Sequence, residues 1–187
     1  MNFIEKYNNS KNIRFKSFEK TLEICFERSL KNIVETGTAR GKTKFLFFKK
    51  YNWKDGMSTP MFAEYVKHVN GVLHTCDISP KNIANARQFT KEFKDYIKFY
   101  TKDSLVFLRE LNESIDLLYL DSLDGHDPLA ASEHQLKEAK IAIEKLHGKS
   151  LILLDDKGSK TNLSINFLLN NNFKIIYETN YQVLLSR

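Results

Sequence analysis

Carboxylates recur in this chain directly after short apolar runs: Glu35, Asp77, Asp103, Asp121 and the pair Asp155-Asp156. A carboxylate at the end of a strand can accept hydrogen bonds from ribose hydroxyls or an adenine amino group, or help hold a hard divalent cation. The first sits in Glu35-Thr36-Gly37-Thr38-Ala39-Arg40-Gly41-Lys42-Thr43. There Gly37 permits a tight turn and Gly41 a close approach between the loop and a following helix. The glycine spacing is not the dinucleotide fingerprint, and it falls one residue short of a phosphate-binding loop, although Lys42-Thr43 does follow the last glycine. Asp77 lies 40 residues beyond Gly37, where a ribose-binding acid would lie about 20 residues on.

The elements that must position these residues alternate. Phe18, Leu22, Cys25, Phe26 and Leu30 form a helical stripe. Asn32 to Glu35 reads as a strand, Lys42 to Lys50 as a helix, Tyr51 to Thr59 as an irregular stretch, and Pro60 to Val69 as a helix. Strands at Val72 to Cys76, Ile97 to Thr101, Ile115 to Leu120 and Leu151 to Leu154 enclose helices from Ser79-Pro80 to about Phe93 and from Ser104 to Leu111. They also enclose a long helix with Leu129, Leu136, Ala139, Ile143 and Leu146 inward, closed by Gly148. A helix from about Thr161 to Leu169 precedes two strands, Phe173 to Glu178 and Gln182 to Leu185, joined too tightly to be anything but antiparallel. Apolar strands alternating with helices mean an α/β fold with a mostly parallel sheet covered on both faces. One domain over 1–187 is expected, with an N-terminal helical segment at 1–30. An insertion at 51–70, with Trp53 and Gly56, reads either as a lid or as a surface excursion.

The chain has 187 residues, enough for one buried core, and its 42% hydrophobic and 28% charged residues place it among globular proteins. The net charge of +6 is spread along the chain without a dense basic block, which favours a solvated basic surface or an anionic substrate over nucleic acid. No apolar run is long enough to cross a membrane, and the start lacks a secretory pattern, so a cytoplasmic location is expected. Cys25 and Cys76 have no partner at metal or redox spacing and read as buried thiols.

Taken together, the glycine loop from Glu35 to Gly41, Asp77, Asp103-Ser104 and Ile115-Asp116-Leu117-Leu118-Tyr119-Leu120-Asp121 resemble the successive motifs of class I S-adenosylmethionine-dependent methyltransferases. The resemblance covers about residues 15–187, closing antiparallel pair included. It implies a three-layer Rossmann-like sandwich with a seven-stranded sheet. It also implies a cofactor site in which Glu35, Gly37, Thr38, Ala39 and Gly41 pack beside the amino-acid moiety. Asp77 holds the ribose, Asp103 and Ser104 lie near the adenine, and Ile78 and Asp121 complete the contacts.

On the acceptor side, Asp121, Asp155 and Asp156 are similar to the carboxylates of metal-dependent small-molecule O-methyltransferases, such as the catechol and macrolide-sugar groups, which hold Mg²⁺ or another divalent cation. Lys157 departs from that pattern, standing where an asparagine is expected; a lysine there either occupies the cation's place or holds an anionic substrate. His126 is the preferred general base, because its ordinary pKa lies near working pH. Asp121 and Lys157 are further catalytic candidates, while His68, His74, His134 and His147 read as structural. The leading expectation is methyl transfer to a hydroxyl of a small molecule, with a homodimer as the expected assembly. The alternatives are a nucleic-acid methyltransferase, aminopropyl transfer on the same fold, and a nucleotide- or NAD-binding Rossmann protein without methyltransferase activity.

Overall fold

The computed structural model describes residues 2–45, 48–50, 52–53, 57–125 and 127–187. In chain order the elements are α1 (Phe15–Glu27), β1 (Asn32–Thr36), β2 (Lys42–Phe45), β3 (Phe48–Lys50), α2 (Ser58–His68), β4 (Val72–Asp77), α3 (Pro80–Phe89) and β5 (Ile97–Thr101). They continue with α4 (Ser104–Glu110), β6 (Ile115–Leu120), α5 (Pro128–Ala142), β7 (Leu146–Asp155), α6 (Asn162–Leu169), β8 (Lys174–Glu178) and β9 (Gln182–Ser186). Short 3₁₀ turns occupy Asn2–Tyr7, Lys91–Tyr96 and Ile143–Lys145.

Seven strands form one sheet in the order β5-β4-β1-β6-β7-β9-β8. The first five run parallel, and β9 pairs antiparallel with both β7 and β8, as the tight final connection requires. The central strands are apolar on both faces because both are covered. Along β7, Leu151 and Leu153 join a core with Phe18, Leu22 and Phe62, whereas Ile152 and Leu154 join the opposite core with Leu108, Leu118 and Leu168. Each of these side chains is fully buried, an apolar transfer of about 1.5–3 kcal/mol per residue. Phe18 of α1, Phe62 of α2 and Tyr119 of β6 meet pairwise edge to face with centroids 5.5–5.6 Å apart, which locks two helices against the strand that delivers Asp121.

The first correction falls directly after the glycine loop. Residues 42–50, expected as a helix, form the antiparallel hairpin β2–β3. Lys42-Thr43-Lys44-Phe45 alternates at the period of a strand, and β-branched and aromatic residues favour a pleated backbone. The helix that crosses over from β1 to β4 is α2, which begins only at Ser58. No helix N-terminus therefore follows Gly41 directly.

The second correction concerns α5. It ends at Ala142, Leu146 opens β7, and Gly148 lies inside that strand rather than closing a helix. Leu129 is 68% exposed. The buried face consists of Ala131, Ser132, Gln135, Glu138, Ala139 and Ala142, small and polar side chains that carry little hydrophobic signal. Phe26, expected on the inward stripe of α1, is 50% exposed and lies against His68. No described helix is long and apolar enough to cross a membrane.

Candidate functional site

The carboxyl ends of β1, β4, β5 and β6 are tied together by backbone hydrogen bonds just beyond the strands. The Gly37 amide donates to the Cys76 carbonyl at 2.8 Å, the Asp121 amide to Thr36 at 2.9 Å, and the Lys102 amide to Asp77 at 3.2 Å. Gly37 adopts φ +81°, and a Cβ there would lie 2.1 Å from the Asp121 carbonyl oxygen. Gly41, at φ +52°, has the Phe89 ring where its Cβ would be, at 1.9 Å. Both glycines thus make the close approaches their positions suggested. Gly41 packs on α3 rather than on a following helix.

Glu35 is buried beneath the loop and does not line the cleft. Its carboxylate accepts hydrogen bonds from Ser58 Oγ at 2.5 Å, Thr59 Oγ1 at 2.8 Å and Thr75 Oγ1 at 2.6 Å. Thr59 Oγ1 also accepts the Ala39 amide at 2.7 Å, so the glycine loop hangs from the first turn of α2. Sequence reasoning missed Ser58 and Thr59, although hydroxyls before Pro60 mark a helix start.

Burial pushes the Glu35 carboxyl up to about 7, against the pull of its three hydroxyl donors. A folded-state pKa above the unfolded value contributes stability that is complete below about pH 4.5 and lost as pH rises to about 7. Glu35→Gln lacks this dependence. Its unfolding free energy, relative to wild type, is therefore expected to improve by about 3 kcal/mol between pH 4.5 and 7.5. Urea unfolding across that range checks it, and a pH-independent difference contradicts the buried charge. The comparison cancels His74, whose pKa burial lowers to about 4 and whose contribution runs the opposite way, falling with acid.

Asp77 stands at the cleft, half-buried, accepting from the Ser79 amide at 2.8 Å, from Asn82 Nδ2 at 3.1 Å and from the Thr38 amide at 3.4 Å. Ile78 beside it is 73% exposed. Asp103 Oδ1 caps α4 by accepting from Leu105 and Val106 amides at 2.9 and 3.1 Å. Ser104 Oγ lies 2.9 Å from His134 Nε2. The nearby Glu138 carboxylate raises the pKa of His134.

These residues line two adjoining spaces. One, about 110 Å³, lies among Asp77, Ile78, Asp103, Ser104 and His134; the other, about 510 Å³, lies among Thr38, Asp77, Asn82, Asp121 and Asp124. Gly37, Asp77, Ile78, Ser122 and Leu123 are common to both, so they form one cleft over four strand ends. His134, read from sequence as structural, is part of its wall.

Asp121, Asp155 and Asp156 converge, each offering an oxygen within 4.8 Å of the others. Two cations of the chain already fill the space among them. Lys160 Nζ lies 2.9 Å from Asp121 Oδ1, from Asp156 Oδ2 and from the Leu123 carbonyl. Arg14 Nε lies 2.7 Å from Asp155 Oδ1 and its Nη2 2.8 Å from Asp156 Oδ1. Burial opposes both charges. The field of Asp155 for Arg14, and of Asp121 and Asp156 for Lys160, outweighs it and raises both pKa values. Burial, then Asp121, pushes Asp155 up, while Arg14 draws it back.

The donor set therefore does not fit a divalent cation. Of the two roles expected for Lys157, the place of the cation is taken by Lys160 instead, four residues beyond Asp156 in the turn before α6; Lys157 pairs with Glu178 at 3.0 Å, on the β8 side. His126, the expected general base, lies outside the described residues, as do Tyr51 and Gly56 of the expected lid.

The profile of a family described as a methyltransferase domain matches residues 53–157, over half of the chain. The chain belongs to this family. No curated protein matches it. Among solved structures, this methyltransferase resembles the S-adenosylhomocysteine-bound methyltransferase PaMTH1 of Podospora anserina, with TM-score 0.65, 14% identity, and 91% of this chain and 77% of that one covered. It also resembles a putative rRNA methylase from Clostridium thermocellum, with TM-score 0.61, 16% identity, and coverages of 96% and 99%. The N-methyltransferase NodS from Bradyrhizobium japonicum WM9 gives TM-score 0.59, 14% identity, and coverages of 91% and 92%. At such identities the likeness carries the fold. The sheet and its closing antiparallel pair are those of the class I S-adenosylmethionine-dependent methyltransferases, as the motifs implied.

Proposed function

We propose that this methyltransferase transfers the methyl group of S-adenosylmethionine to a hydroxyl of an anionic small molecule. The observation that carries the reading is the continuous cleft that joins Gly37, Asp77, Asp103 and Asp121 at adjacent strand ends. Asp77 accepts from the ribose hydroxyls, and the exposed Ile78 gives an apolar face to the base. Asp103, Ser104 and His134 surround the smaller space on the adenine side, and the backbone of Gly37, Thr38 and Ala39 flanks the amino-acid moiety.

The bound cofactor supplies the electrophilic methyl group. The chain's task is to align the acceptor with it and exclude water. Arg40 Nη1 donates to Asp124 Oδ2 at 2.9 Å, linking the loops after β1 and β6 along the cleft, which suits an acceptor of modest size. The net charge of +6 favours a phosphorylated or otherwise anionic acceptor. Proton removal is assigned to the loop from Asp121 to Asp127, which carries His126.

The same positive charge, with an rRNA methylase among the similar structures, favours RNA as the second reading. Methyl-labelled cofactor offered with phosphorylated hydroxy compounds and with total RNA separates the two. Label is expected in the small-molecule fraction. Label in RNA, with activity falling steeply as salt rises, overturns the proposal. Thermal stabilisation by S-adenosylhomocysteine, but not by NAD or ATP, is expected in the same preparation.

A further inference from the structure

The carboxylates of Asp121, Asp155 and Asp156 have the composition of a hard-cation site and a filling that contradicts one. An ammonium has three N–H donors, and Lys160 spends all three, on Asp121 Oδ1, Asp156 Oδ2 and the Leu123 carbonyl, with its side chain only 2% exposed. Arg14 engages the other side of the cluster through Asp155 and Asp156, with its side chain 10% exposed. Asp156 takes φ +56°, a left-handed conformation uncommon outside glycine, and its two oxygens face different cations. Two built-in positive charges meet three carboxylates. A dication entering the same oxygens would sit against an ammonium and a guanidinium with no water between them to screen the repulsion.

We infer that Lys160 and Arg14 take the place of a divalent cation, so that the cluster is closed to metal. Lys160 is then a positioning residue. It fixes one oxygen of Asp121, a residue of the cleft wall, while Tyr119 OH approaches the other at 3.4 Å. The role of Asp121 at the reacting end rests on the proposed function. The exclusion of metal does not, since it concerns only the side chains described.

The experiment measures thermal unfolding with Mn²⁺, Mg²⁺ or EDTA and without acceptor, so it is decided even if the activity proves different. S-adenosylhomocysteine is added separately to test the cofactor reading. Wild type is expected to ignore both cations and the chelator. Lys160→Met is expected to lose stability and to regain it with Mn²⁺, by about 5–10 °C at roughly a hundredfold excess over the dissociation constant. Lys160→Met with Asp121→Asn is expected to lose that rescue. Lys160→Arg, which keeps the charge, is expected to behave as wild type toward Mn²⁺.

Stabilisation of wild type by either cation, abolished by Asp121→Asn, overturns the inference. So does a folded Lys160→Met that is indifferent to Mn²⁺. Should Lys160→Met not fold, Arg14→Met removes the other built-in charge, and the same two readings of its cation response decide the matter.

Discussion

Gly37→Ala is expected to lower the unfolding free energy by about 3 kcal/mol or more and to abolish measurable S-adenosylhomocysteine binding. Two costs combine. At φ +81° any L side chain adds strain of about 1–2 kcal/mol. The new Cβ would also lie 2.1 Å from the Asp121 carbonyl oxygen and 2.7 Å from its carbon, and both are backbone atoms at the end of β6. Relief requires the loop and β6 to separate. That breaks the Gly37-to-Cys76 and Asp121-to-Thr36 hydrogen bonds and widens the cleft where its two spaces join. Gly41→Ala is the internal comparison. Its Cβ meets the ring of Phe89, a side chain that can turn aside, so the loss should be smaller. Urea unfolding and calorimetric titration give both numbers, and equal losses at the two positions would refute the backbone clash.

Asp77→Ala is expected to weaken S-adenosylhomocysteine binding by about a hundredfold, roughly 3 kcal/mol. Hydrogen bonds to a charged acceptor contribute about 1.5–3 kcal/mol each, and part of that is recovered by solvation in the free protein. The carboxylate is also held by the Ser79 amide and by Asn82, so truncation disturbs the start of α3. Stability must therefore be measured beside affinity. Asp77→Asn retains one acceptor oxygen and nearly the same shape, and a loss of about tenfold is expected for it. An unchanged affinity in both variants would remove the ribose-binding role and, with it, the chief support for the orientation proposed in the cleft.

How far these features could be read from residues alone follows from how local their causes are. The apolar runs at Ile115 to Leu120 and Leu151 to Leu154 are dictated by burial on both faces, and the structure places them at the centre of the sheet. That Asp77 and Asp103 reach the cleft was legible because a strand end is a position along the chain. Residues 42–50 misled because Gly41 suggested a helix start, although Lys42-Thr43-Lys44-Phe45 already alternated as a strand does. The inward face of α5 escaped notice because alanines with Gln135 and Glu138 make no apolar stripe. Lys160 was within reach, only four residues beyond Asp156 and brought back to it by a tight turn. Arg14 was not: it meets Asp155 across 141 residues of chain, and no pattern in the sequence links the two.

The hairpin β2–β3 has a consequence for how this scaffold can diversify. It leaves the body of the protein at Gly41, which is packed on Phe89, and returns at Met57, buried just before the hydroxyls that grip Glu35. Both points are held by packing, and Trp53 between them meets Tyr7 edge to face with centroids 6.1 Å apart, so a change in the length of the connection on either side of Trp53 carries an entropic cost that grows only logarithmically. Sequence change between these two points can thus accumulate while the hydroxyl ladder around Glu35 and the parallel strands stay as they are.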